Sequence, residues 1–131
     1  MLYVVDTPKS FDDAVRDLEE AGKRNKFGVL HVHDLQATLK AKGFDFPNRC
    51  KILEVCNPQR AVQVLTAHMP VNLALPCRIS VFEQEGKVKI GMITPAAMLS
   101  FFPHAAELKP VAEQVDAETK RMIDEARLGG A

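Results

Sequence analysis

The stretch Lys51-Ile52-Leu53-Glu54-Val55-Cys56-Asn57-Pro58 constrains the fold of this chain more than any other. Ile52, Leu53 and Val55 favour an extended backbone. Asn57 is a good N-cap residue, and Pro58 suits the first helical position, where its missing N–H leaves no bond unmade. The stretch therefore predicts a strand running straight into a helix. Cys56 then stands at a strand end, just before a helix N-terminus. Chemistry can happen at such a place, but the residues do not name the reaction.

The rest of the chain reads as further strands and helices. Leu2 to Val5 is a first short strand. Ser10 caps a helix with Asp12 and Asp13 in its first turn and an inner face of Phe11, Ala14, Val15, Leu18 and Ala21. Gly22 weakens the end of that helix, where Lys23, Arg24 and Lys26 suit the C-terminus. Phe27 to His33 is a second strand. Alternation puts Phe27, Val29, His31 and His33 on one face and Leu30 and Val32 on the other, so a central position is expected. Asp34 caps a helix from Leu35 to about Lys42, ended by Gly43, and a loop with Pro47 follows. Cys50 to Cys56 is the third strand, with Cys50, Ile52, Glu54 and Cys56 on one face. The helix from Pro58 is expected to bury Ala61, Val62, Leu65 and Met69 and to end at Pro70. Val71 to Leu75 is an apolar connector, suited to the core or to a subunit contact. Cys77 to Phe82 and Lys87 to Ile93 form a hairpin through Glu85-Gly86. Thr94-Pro95 opens a short helix to about Phe102. A last helix runs from about Pro110 to Leu128, with Val111, Val115, Met122 and Ala126 inward, an Asp116–Lys120 pair, and Gly129-Gly130 at its end.

This is a single α+β domain over residues 1–131. Its sheet of four to five strands is mostly antiparallel or mixed, with helices packed on it. At 131 residues the chain can bury a real core without staples. Its 17 basic and 17 acidic residues cancel, which removes the electrostatic case for nucleic acid or an anionic membrane. With no Trp and one Tyr, a stacking platform for single strands is also not expected. No signal-peptide pattern opens the chain, and no run approaches the roughly 20 apolar residues of a membrane helix. A cytoplasmic protein is expected. The three cysteines include no CxxC pair, which points to neither a disulfide framework nor a zinc ribbon.

Leu53-Glu54-Val55-Cys56-Asn57-Pro58, with Ala61 and Leu65 after it, and Leu75-Pro76-Cys77-Arg78 with Val81 carry a resemblance. Together they resemble the bacterial and archaeal family catalogued as domain of unknown function 302, whose hallmark is a Cys-Asn-Pro turn followed by Leu-Pro-Cys. Phe27-Gly28-Val29-Leu30, Asp34, Thr38, Leu39 and Lys42 are similar to one branch of it, and Gly86, Val88, Ile93 and Pro95 continue the match. The resemblance covers roughly residues 27–98, with the family-like part reaching back to about residue 11. It implies a compact α+β fold, often a homodimer, and no established activity. This chain departs from the family's pattern at His68 and at Thr94, where other members carry acids.

Several side chains are candidates for chemistry. Cys56, beside a helix N-terminus, could be a reactive thiolate or simply a small buried hydrophobe. Cys77, between Pro76 and Arg78, could be its partner, provided the strands bring the two together. His31 and His33 lie two apart on one strand face. With Cys56 and Cys77 they would make a His₂Cys₂ set suited to zinc; alternatively one ring packs in the core and the other is solvated. Glu54, in an apolar strand, needs a partner, and Arg78 is the expected counter-charge. Cys50 is expected to be incidental. Phosphate-binding glycine loops, nucleophile elbows and His-Glu-x-x-His motifs are absent from the sequence.

Three readings stay open. In the first, the protein is a non-enzymatic homodimer holding a small ligand or a metal in a pocket lined by His31, His33, Glu54, Asn57, Cys56, Cys77 and Arg78. In the second, Cys56 and Cys77 act in thiol-dependent redox or sulfur handling. In the third, the motifs are structural and serve an interaction with a partner. The lack of a CxxC pair or of a base at fixed spacing favours the first.

Overall fold

The computed structural model describes residues 1–128. Five strands form one sheet in the order β1-β5-β4-β3-β2, and every neighbouring pair is antiparallel. They are β1 (Leu2–Thr7), β2 (Gly28–Asp34), β3 (Cys50–Cys56), β4 (Cys77–Gln84) and β5 (Lys87–Ile93). The helices are α1 (Phe11–Arg24), α2 (Leu35–Ala41), α3 (Pro58–Ala67), α4 (Pro95–Leu99) and α5 (Ala105–Leu128), with a 3₁₀ turn at Met69–Ala74. The fold is therefore α+β, with no parallel pair among the described residues. The expected terminus at Gly129-Gly130 lies outside the described residues.

One face of the sheet carries the core. Leu53 and Val55 of β3, Ile79 and Val81 of β4, and Ile90 and Met92 of β5 are buried against Phe11, Ala14 and Leu18 of α1 and Met122, Ile123 and Ala126 of α5. Apolar residues two apart on each strand all point to that side, as the period of a strand requires. Tyr3 ties β1 to α5 by donating its hydroxyl to Asp124 Oδ1 at 2.6 Å. A second, smaller cluster joins Val64 of α3, Val71 of the 3₁₀ turn, Leu99 of α4, and Leu108 and Ala112 of α5. Neither cluster includes a residue from the opposite face of the sheet, where Leu2, Val4 and Ile93 are exposed.

Several local expectations need correction. β2 is an edge strand, not a central one. A bulge between Val29 and His31 swings Leu30 out to solvent. It leaves Val29 opposite Val55 and Val32 opposite Leu53, so both of these apolar residues face the core. The extra residue thus explains why strict alternation misassigned the two sides. In α3 the buried residue is Val64, whereas Val62 is exposed; the helix ends at Ala67, so Met69, also exposed, belongs to the 3₁₀ turn. α3 packs edge-on against the second cluster, and only one narrow stripe is covered. α4 stops at Leu99, and α5 begins at Ala105, so Pro110 sits inside α5 rather than at its start. The Asp116–Lys120 pair forms, at 3.6 Å.

The turns follow their sequence cues. Glu85 and Gly86 both have positive φ, as a two-residue hairpin turn of the primed type needs. α1 ends in a Schellman arrangement. Phe27 N–H donates to Gly22 O and Lys26 N–H to Lys23 O, with Lys26 at φ +65°. Gly22 does more than weaken the helix end: a Cβ there would stand 2.7 Å from the Phe27 carbonyl oxygen. That obstacle is backbone in a tight turn, so it cannot simply rotate away. Gly22→Ala is expected to cost about 1–3 kcal/mol of unfolding free energy. Urea titration followed by circular dichroism checks this, and a change inside about 0.5 kcal/mol would contradict the close approach.

Candidate functional site

The strand-to-helix turn at Cys56-Asn57-Pro58 forms as its residues dictate. Asn57 is buried, its Oδ1 accepts from Arg60 N–H at 3.2 Å, and Pro58 opens α3. Asn57 therefore spends its side chain on the cap. The Leu75-Pro76 peptide is cis and leads directly into β4. The register sets Cys77 opposite Val55, on the core side, where it packs against the main cluster. Cys56 is the next residue along β3 and alternates to the other side, opposite Gly28. All three cysteines are free thiols.

The two thiols thus lie near each other but on opposite sides of the sheet. Burial, with a smaller contribution from Cys56, pushes the Cys77 thiol up to about 11. Burial, then the Asp34 carboxylate, pushes Cys50 up as well. A thiol in such surroundings is neutral at physiological pH and a poor nucleophile.

The opposite face gathers a different group. His31 and Arg78 both stand across from Glu54, and His33 stands across from Ile52. The rings of His31 and His33 meet edge to face with centroids 4.3 Å apart. His33 Nε2 lies 3.4 Å from Glu54 Oε1. Although the ring is half exposed, that nitrogen is buried and makes no hydrogen bond. Arg78 is exposed and forms no ion pair with Glu54 among the described residues, so His33, not Arg78, is the nearest partner of the carboxylate. Arg78 shares a strand face with Glu54, but a long cation at an exposed position gains little by folding down onto it.

The seven candidates therefore divide. His31, His33, Glu54 and Arg78 come together on the face that lacks a core, with Cys56 at the end of the same face of β3. Asn57 is occupied as a cap and Cys77 faces away. The His₂Cys₂ set is not gathered, and among the described residues no three His, Cys, Asp or Glu side chains are grouped to hold a metal ion. Within one copy the candidates line an open face rather than a pocket. Two grooves lie elsewhere. One, of about 570 Å³, lies beside α2, lined by Gln36, Lys40, Phe46 and Pro47; another, of about 540 Å³, lies between Lys9, Lys87 and Arg127.

Thr94 and His68, where the resemblance led to an expectation of acids, both lie beside α5 or its start. Thr94 makes no side-chain cap on α4, and Asp116 of α5 supplies the acid instead, accepting from Ala96 N–H at 2.9 Å. His68 ends α3 with its ring 5.4 Å from His104 and 6.4 Å from Phe102, and its Nε2 is buried without a hydrogen bond. The His68–His104 neighbourhood was not foreseen. Nothing in the spacing joins two residues so far apart in the chain; only the close of α3 against the start of α5 does.

The profile of the family described as Domain of unknown function DUF302 matches residues 3–126, which extends the 27–98 resemblance at both ends. No curated protein matches the chain. A solved structure does: the crystal structure of an uncharacterized conserved protein DUF302 from Bacillus stearothermophilus is 35% identical. The match covers 96% of this chain and 98% of that one, with a TM-score of 0.92.

The placement of Cys77 has a pH consequence. Its folded pKa, about 11, lies above its ordinary value of 9.0, so folding favours the protonated thiol. That stability is present in full below pH 9 and is lost as pH rises through about 11. In Cys77→Ala the decline of stability between those limits should become shallower, as read by urea unfolding at stepped pH. Identical slopes for the two proteins would contradict the assignment.

Proposed function

The chain belongs to the DUF302 family, and from that premise we propose that it is a non-enzymatic, homodimeric binding module whose ligand site is the His31, His33, Glu54 and Arg78 group. The observation that carries this reading is the buried His33 Nε2, 3.4 Å from a carboxylate and without a hydrogen bond. An unsatisfied buried polar atom costs roughly 1–3 kcal/mol. Such an arrangement persists where a ligand or partner supplies the missing contact.

The second copy is the expected cover for this face. Leu2, Val4 and Ile93 are 70%, 44% and 53% exposed there. Val4 leans over Gly91, where a Cβ would come within 2.8 Å of its methyl group, so the apolar surface is continuous across β1 and β5. The face also carries both signs of charge, with Arg78 and Lys89 beside Glu54 and Asp6, so two like faces can meet without net repulsion. Five strands about 4.8 Å apart and about 20 Å long present roughly 500 Å² in flat projection, so two copies cover about 1,000 Å², the lower bound for a specific interface. Closing the face would turn an open group of polar side chains into a lined cavity. No helix among the described residues is long and apolar enough to cross a membrane. The three free thiols support a reducing compartment, and the cytoplasm is the location that goes with this reading.

The thiol reading has less support. Cys77 is held neutral by burial, and its side chain faces away from Cys56.

Two measurements test the proposal. Wild-type protein should sediment as a dimer at micromolar concentration, and Ile93→Glu should weaken association at least tenfold while keeping a native circular dichroism spectrum. A monomeric wild type, or a variant that still dimerises with unchanged affinity, overturns the dimer. His33→Leu removes the unsatisfied nitrogen and should raise the unfolding free energy of ligand-free protein by up to about 1 kcal/mol. A clear loss of stability would mean that His33 is a structural residue.

A further inference from the structure

The donors and their spacing identify a ligand class for this face. Imidazole nitrogen paired with carboxylate oxygen is the donor set of borderline divalent ions such as zinc and cobalt. Two such donors bound at about 2.0–2.1 Å to one tetrahedral ion stand roughly 3.3 Å apart. His33 Nε2 and Glu54 Oε1 are 3.4 Å apart and do not hydrogen-bond. That is the separation two ligands of one ion adopt, and the nitrogen is shielded from water. His31 supplies a third donor and second imidazole, its centroid 4.3 Å from that of His33 and its side chain exposed, so it can turn.

We propose that, on the binding-module reading above, the ligand is a single divalent transition-metal ion per chain, held by His33 and Glu54 with His31 as third donor and water completing the shell. The group of three is not gathered in advance. The site therefore assembles on binding, by rotation of His31 toward the preset His33–Glu54 pair. Cys77 takes no part, because it faces the core. Arg78, across from Glu54, opposes the cation and limits its affinity.

The test uses Co²⁺ alone with full-length protein, read by visible absorption and isothermal titration calorimetry. One Co²⁺ per chain is expected, with intense visible bands of low coordination number. His33→Ala, His31→Ala and Glu54→Gln should each weaken binding at least tenfold. The last is nearly isosteric and guards against a folding defect in the others. Arg78→Gln should tighten binding several-fold, and His104→Ala, at the other imidazole neighbourhood, should leave it unchanged. Absence of Co²⁺ binding, or binding that survives Glu54→Gln and His33→Ala, overturns the metal assignment. Sedimentation of the same samples separates the two ideas: a wild type that dimerises but binds no Co²⁺ discards the metal and keeps the binding module.

Discussion

The antiparallel register of β3 with β2 and β4 decides what every chemically able side chain can do. With Leu53 opposite Ile79 and Val32, the core residues of three strands fall on one side. Glu54 is then forced to the other side, facing His31 and Arg78. A slip of one residue would reverse every assignment and bury a carboxylate in the main cluster. The hydrophobic term that holds Leu53 and Val55 against α1 and α5 is therefore also what positions the polar group.

The same register separates the two motif cysteines. Cys77 faces the core because it lies opposite Val55, and Cys56 alternates away. The Cys-Asn-Pro turn and the Leu-Pro-Cys turn each also shape the fold. One caps α3 through Asn57, and the other starts β4 with a core residue. The capping of α4 follows a related logic. Thr94 forms no side-chain cap, and Asp116, reaching in from α5, bonds the free Ala96 N–H. A capping acid can thus come from a packed neighbour, which binds α4 to α5 more firmly than a local cap would.

Most of the fold was legible. Ser10, Asp34 and Asn57 each cap the helix they were expected to cap, and Glu85-Gly86 makes the hairpin turn. These signals are local, and local signals survive folding. The errors came from non-local causes. The bulge at Leu30 cannot be read from alternation, because its single extra residue shows only against the partner strand. Val62 and Val64 are equally apolar; which is buried depends on how α3 meets α5. The site was half legible for the same reason. His31, His33 and Glu54 were nominated by residue type and face, but the pairing of Glu54 with His33 rather than Arg78 required the register and the side-chain conformations together.

A sheet covered on one side only leaves a definite physical problem. The apolar surface at Leu2, Val4 and Ile93 is exposed, and an imidazole nitrogen lies buried beside a carboxylate without a bond between them. Either feature alone could be tolerated on the surface of a small domain. Together, on one face, they have a common remedy. Covering the apolar strip with a second copy lowers the local dielectric around the polar group, which strengthens any interaction that satisfies it and raises the cost of leaving it unsatisfied. On the proposed dimer, association and ligand binding at this face would therefore be thermodynamically coupled, each favouring the other by the same free energy.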